Sequence, residues 1–218
     1  MQEIYSFLSD LAQNNNREWF NEHKKRYKKA NAQFLDVVQE LIFGINEFDD
    51  LGPLSAKECV FRIYRDVRFS KNKNPYKENM GGYIARGGRK SGLAGYYIHV
   101  QPGESFIAGG QYGPNKEQLQ AIRASIMEDA TPLREVIAAE GFQKYFGELG
   151  GDKVKTAPRG IKRDHPEIDL LRHKQFVVMH QVTDAQVLAA DFQSYVLDVF
   201  RHLKPLNDCL NEMQKMPL

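Results

Sequence analysis

The sequence predicts an α+β fold, a mainly antiparallel sheet packed against long helices, and two observations carry that reading. Apolar residues near both ends of the chain recur at helical spacing, while those between 57 and 112 alternate at a spacing of two. No helical pattern separates the alternating runs, so tight turns rather than crossovers join them, which makes the sheet antiparallel. At 218 residues the chain suits one domain over 1–218. Its expected parts are a helical N-terminal part (1–50), a sheet core (57–112), helices with a basic loop (113–174), and a strand with a C-terminal helix (175–218).

Ile4 to Asn14 reads as a short helix with Ile4, Phe7, Leu8 and Leu11 as its apolar stripe. The run Asn14-Asn15-Asn16 stops it and caps the next helix. From Arg17 a helix of about eight turns is expected. Tyr27, Phe34, Leu41 and Phe48 recur every seven residues there, with Phe20 in front and Val37, Val38 and Ile45 between. Its outer face, HKKRYKKAN from His23, reads as a solvated cationic surface.

Gly52-Pro53 ends this part, and strands are expected at Cys59–Tyr64, Gly82–Arg86, Tyr96–Gln101 and Ser105–Gln111. Gly87-Gly88, Gly92 and Pro102-Gly103 separate them, the last being the clearest hairpin turn. Pro114-Asn115 opens a helix to about Glu128, with Gln118 as capping-box partner, and Thr131-Pro132 opens another to near Gly141. A short helical piece over Phe142–Leu149 leads to Gly150-Gly151 and a basic loop. Gln175–Gln181 is a strand, Thr183 with Gln186 caps a helical turn, and Ala190–Met213 is a long amphipathic helix that Pro205 should kink or restart.

The net charge of +2 hides an asymmetry. Phe61–Lys77 (FRIYRDVRFSKNKNPYK) holds six cations against Asp66, and Lys153–Lys174 holds seven against three acids, net +5 and +4, so the rest of the chain is −7. Two basic segments on an acidic body point to a local anion site, and the pI near 8.4 is below that of a strongly basic nucleic-acid binder. Cys59 and Cys209 stand far apart without ligand-like spacing and read as reduced thiols. No apolar leader and no long apolar run occurs, so the protein is expected in the cytoplasm, off the membrane.

The first basic segment carries Phe61, Tyr64, Phe69 and Tyr76 among its cations, which a disordered tail would not. Arg65 and Arg68 with Asp66 form a candidate anion clamp, since a guanidinium fork suits phosphate or carboxylate, and Arg62 is a further anion-binding candidate. The competing reading is an ion-pair network pinning the sheet edge to the long helix. Ser70, Lys71, Lys73, Tyr76 and Lys77 extend the candidate site along a loop stiffened by Pro75, against the reading of a solvated charged loop. His99 shares a strand face with Tyr97 and Gln101, suited to acid–base work or to the wet side of a sheet. His165 sits where the second basic loop feeds a helix start, as a capping residue or part of an anion pocket with Lys155, Arg159 and Lys174.

The motifs resemble a bacterial and fungal family, the domain of unknown function 2461. Its N-terminal L-x-x-N-N-x-R-x-W-F element is matched, with one residue inserted, by Leu11, Asn14, Asn15, Arg17, Trp19 and Phe20. Its R-D-x-R-F-S-K-x-K-x-P-Y-K element is matched at Arg65, Asp66, Arg68, Phe69, Ser70, Lys71, Lys73, Pro75, Tyr76 and Lys77. Tyr96-Tyr97 before a P-G turn, Ala157–Gly160, His165-Pro166, Leu170-Leu171 and Lys174 complete the likeness, which spans almost the whole chain. Asn72 departs from it, standing where the family places an acid. The resemblance implies an α+β fold and assigns no activity.

Other signals fail. GGRKSG at 87–92 joins two strands and lacks the spacing of a phosphate loop, and the six histidines show no metal spacing. No nucleophile motif is present, and no cofactor or metal is expected. The expected function is binding of a phosphorylated or polycarboxylate small molecule in a basic cleft, with Asp66, His99 and His165 as candidates for acid–base catalysis. The alternatives are a nucleic-acid binder using the same cations with stacking tyrosines, or an interaction module whose ion pairs are structural. The two basic segments are expected to meet around one pocket.

Overall fold

Asn14 and Asn16 divide the N-terminal chain as their side-chain chemistry dictates. The computed structural model describes residues 1–215, so the last three residues of the expected domain lie outside it. Helix α1 (Gln2–Gln13) ends at Asn14, whose side chain donates to Asp10 O at 2.9 Å. Asn16 caps α2 (Arg17–Glu22), its Oδ1 accepting from Trp19 N at 2.9 Å.

The single helix expected from Arg17 is two. At His23 the backbone turns to φ −98°, ψ 14°, and both the His23 N–H and Nδ1 bond to Trp19 O, at 3.0 and 2.8 Å, with the rings stacked at 4.2 Å. Helix α3 (Lys24–Asn46) begins beyond. The seven-residue spacing records only which face is apolar and is blind to a side chain that folds back on its own backbone. On α3, Phe34, Val37, Val38, Leu41 and Ile45 are buried as expected.

The chain forms two compact units. Unit 1 is Met1–Arg89, Tyr97–Ile107 and Gln181–Leu197; unit 2 is Lys90–Tyr96, Ala108–His180 and the chain from Asp198. Strands β1 (Met80–Ile84), β2 (Gly95–Val100), β3 (Phe106–Gln111) and β4 (Phe176–Gln181) pair in that order as an antiparallel sheet. Between β2 and β3, Glu104 N donates to Gln101 O at 3.0 Å and Gly103 takes φ 79° behind Pro102, the backbone of a type II turn.

The strand expected at Cys59–Tyr64 is absent. A capping box of Ser55 and Glu58 winds Ala56–Cys59 into a helical turn, α4. The chain then pairs with β1 only at Val60↔Gly82 and with its own return leg at Tyr64↔Tyr76. Arg65 N still reaches Pro75 O at 2.9 Å, but Pro75 has no N–H to offer, so pairing stops and a loop opens.

On β2, Tyr96, Ile98 and Val100 are fully buried. In unit 1, Gly82 packs against Val38 of α3. In unit 2, Tyr96 meets Phe200 at 4.9 Å and Gly109 packs against Leu203, both residues of α10 (Phe192–Met213). That helix runs through Pro205 without restarting, so of the expected kink or restart the restart does not occur. Pro205 is exposed while Leu203, Leu206 and Leu210 are buried, and burial of that stripe carries the helix past a missing donor. Helices α5 (Lys116–Glu128), α6 (Thr131–Ala138), α7 (Glu140–Tyr145), α8 (Ile168–Leu171) and α9 (Asp184–Leu188) complete the architecture. Asn115 with Gln118 and Thr183 with Gln186 form the expected capping boxes. Among the described residues no helix is long and apolar enough to cross a membrane.

Candidate functional site

The first basic segment is held by the N-terminal helices of unit 1. Tyr76 is buried and stacks on Phe20 with ring centroids 3.9 Å apart, and Tyr64 meets Phe20 edge-on at 5.9 Å. Asn15 grips the same residue by its backbone, its Nδ2 donating to Tyr76 O at 3.1 Å and its Oδ1 accepting from Tyr76 N at 3.2 Å. The same amide donates to Glu78 Oε1 at 2.9 Å. The two motif elements are thus one structural unit, and Asn15, read from sequence as part of a capping run and of the N-terminal motif, is its clasp.

A cleft of about 300 Å³ lies against this segment, lined by Arg65, Asn72, Tyr76, Lys77, Glu78, Asn79 and Gln101. Arg65 is half-buried and donates to Ser70 Oγ at 3.4 Å. Lys77 lies 5.2 Å from the Phe61 ring centre; burial, and then the nearby Arg62 charge, lower its pKa. Among the described residues, Arg62, Arg65, Lys71 and Lys77 form no salt bridge. Asp66 pairs with Arg68 at 2.7 Å on the exposed loop, and that hydrogen bond holds its carboxyl below the usual range. Lys73 Nζ donates to Val67 O at 3.0 Å, and Phe69 is 96% exposed. Among the described residues, the competing ion-pair network to the long helix is therefore not formed by this segment.

The face of β2 opposite the core carries a directed chain of hydrogen bonds. Gln101 Nε2 donates to the Glu104 carboxylate at 2.7 Å, which turns its amide oxygen toward His99 Nε2 at 3.2 Å. An acceptor there requires the proton on Nε2, leaving Nδ1 to accept from the Tyr97 hydroxyl at 3.0 Å. The ring stacks on Phe106 at 4.4 Å, and Phe61 leans on Tyr97 at 6.3 Å, so this is a covered face and not merely a wet one. A Cβ at Gly81 would stand 2.5 Å from the Tyr97 oxygen, so only glycine leaves that hydroxyl its place. With both ring nitrogens occupied, His99 reaches a bound molecule only through the Tyr97 hydroxyl or the Gln101 amide.

Burial, the largest effect, lowers the His99 pKa below 6.5, with the Lys77 charge adding to it against Gln101 and Glu104. A histidine lowered in the folded state leaves the unfolded chain binding more protons, so stability falls as pH drops below about 6.5 toward the lower folded value. Thermal melts between pH 7 and 5 are expected to show that loss, with a shallower slope in His99→Gln. An unchanged slope in the variant would mean that His99 is not the group responsible.

The second basic segment lies in unit 2, and its residues are engaged there. Lys174 pairs with Asp152 at 3.5 Å, and Lys155 gives its carbonyl to Arg172 Nη2 at 2.9 Å. Arg159 stands exposed in a turn. His165 Nδ1 accepts from Glu167 N at 3.1 Å, just ahead of a helix of only four residues whose N-cap is Glu167. Arg134 ties down Glu167 and Asp169 at 2.6 and 2.7 Å. None of Lys155, Arg159, Lys174 or His165 lines the cleft, whereas Arg65, Tyr76 and Lys77 do. Glu78 and Asn79 line it too and were missed, because one acid and one amide after a basic run carry no pattern.

An antiparallel α+β fold whose N-terminal helices grip a cation-rich hairpin defines the class of protein. The chain belongs to the family described as Conserved hypothetical protein (DUF2461), whose model matches residues 3–208. No curated protein and no solved structure matches it.

Proposed function

We propose that the protein binds a small phosphorylated or polycarboxylate molecule in the cleft lined by Arg65, Lys77 and Gln101, in the cytoplasm, where its free thiols Cys59 and Cys209 stay reduced. The observation that supports this most is that Arg65 and Lys77 line one cleft and form no salt bridge among the described residues, while Asp66 is taken up by Arg68 on the exposed loop. Neighbouring cations that have lost part of their hydration repel each other, and an anionic guest relieves both costs. A guanidinium fork beside a lysine point charge suits phosphate.

A second reading has its own observation. Phe69 and Tyr64 are 96% and 45% exposed amid Arg68, Lys71 and Lys73, a surface on which unpaired bases stack without sequence preference. Thermal melts with phosphate, pyrophosphate and citrate, beside oligonucleotide titrations at rising salt, separate the two. A hundredfold excess over Kd stabilises by about 2.7 kcal/mol, a Tm rise of about 5–10 °C for a chain of this size. No rise with any anion, together with oligonucleotide binding that survives physiological salt, would reverse the order of the two readings.

A further inference from the structure

We infer that the cleft takes a phosphorylated sugar or polyol, not a polycarboxylate; this rests on the anion-binding reading and narrows it. The part of the lining that carries no positive charge makes the distinction. Glu78 lines the cleft as a half-buried carboxylate. Its Oε1 accepts from Asn15 at 2.9 Å and Asn74 at 3.1 Å, while Oε2 has no hydrogen-bond partner among the described residues. A carboxylate only accepts, so Oε2 calls for a donor on the guest. A hydroxyl supplies one. A second carboxylate supplies none and is repelled.

The three carboxamides extend the pattern. Asn72 Oδ1 is held by Asn74 N at 2.8 Å, which leaves its amide hydrogens to donate. Gln101 spends its oxygen on His99 and one amide hydrogen on Glu104, leaving the other. Asn79 has no side-chain partner among the described residues and offers both a donor and an acceptor. A lining that both donates and accepts matches hydroxyl groups, each of which does the same, whereas a polycarboxylate uses only the donors. Arg65 and Lys77 then take the phosphate. The volume, about 300 Å³, is at the lower end of small-molecule pockets, which run from about 300 to 1,000 Å³. That is room for one sugar and its phosphate.

Calorimetric titration of the full chain with glucose 6-phosphate, ribose 5-phosphate, adenosine 5′-monophosphate, inorganic phosphate and citrate tests this. A sugar phosphate is expected to bind about tenfold tighter than phosphate or citrate, because a site built for hydroxyls leaves its polar groups unpaired otherwise. The nucleotide, whose base finds no aromatic face in this lining beyond Tyr76, already stacked on Phe20, binds no tighter than ribose 5-phosphate. In Glu78→Gln, with a melting curve to confirm folding, the preference for sugar phosphate over citrate is expected to shrink about fivefold or more, since the repelling charge is gone. Citrate or phosphate equal to the sugar phosphates, tighter nucleotide binding, or an unchanged preference in the variant overturns the ligand class and leaves the anion cleft standing. Absence of binding by every anion overturns both.

Discussion

Replacing Arg65 by alanine is expected to weaken phosphate binding about tenfold to a hundredfold, the span of a hydrogen bond to a charged group, about 1.5–3 kcal/mol. The ligand-free protein should melt no lower than the wild type. Its guanidinium has a 3.4 Å contact with Ser70 Oγ and, among the described residues, no salt bridge, so truncation strands no buried carboxylate there. Lys77→Met should behave alike, because burial and Arg62 already disfavour its charge, although it loses the contact with the Phe61 ring. Were these side chains structural ion-pair partners, each truncation would cost about 3–5 kcal/mol. A loss of that size in either variant without ligand, combined with unchanged phosphate affinity, would sink the anion-cleft reading. Arg68 is the internal control, since its exposed pair with Asp66 stands outside the cleft lining, and Arg68→Ala should change affinity least.

Phe20→Ala should be the most damaging single change to unit 1. The ring is fully buried and touches Phe7, Tyr27, Tyr64 and Tyr76, so its removal leaves a cavity among aromatic neighbours. A loss of about 3–5 kcal/mol is expected, which for a protein of this size lowers Tm by about 6–20 °C. Because Tyr76 rests on this ring and lines the cleft, ligand affinity should fall with stability, unlike in Arg65→Ala. Phe20→Leu, which refills most of the space, should recover most of both. If Phe20→Ala costs less than about 1 kcal/mol, the hairpin does not depend on the N-terminal helices through this contact.

The sequence by itself determined the α+β class, the mainly antiparallel sheet, the Pro102-Gly103 turn and the capping boxes at Asn115 and Thr183, while the place of β4 beside β3 was set by the fold. These depend on spacing and on side chains that act within a few residues of themselves, so a linear reading contains their causes. Tertiary structure decided where that reading failed. Alternation at Phe61–Tyr64 looked like a strand, but a strand needs a partner along its length, and here the partner is β1 at one bridge and the returning hairpin at the next. The long helix broke at His23 because a ring folded onto Trp19, which no hydrophobic period records.

The candidate site divides the same way. Its cations were legible as a charge cluster, since like charges crowded into an aromatic segment are visible in one dimension. Which of them lacks a counter-charge was not, because Asp66 has Arg65 as its sequence neighbour yet pairs with Arg68, leaving Arg65 free to line the cleft. The clasp of Asn15 on Tyr76 joins residues far apart in sequence through two backbone hydrogen bonds. Hydrogen bonds are short and directional, so which donor meets which acceptor across the fold is settled only when the chain has closed on itself.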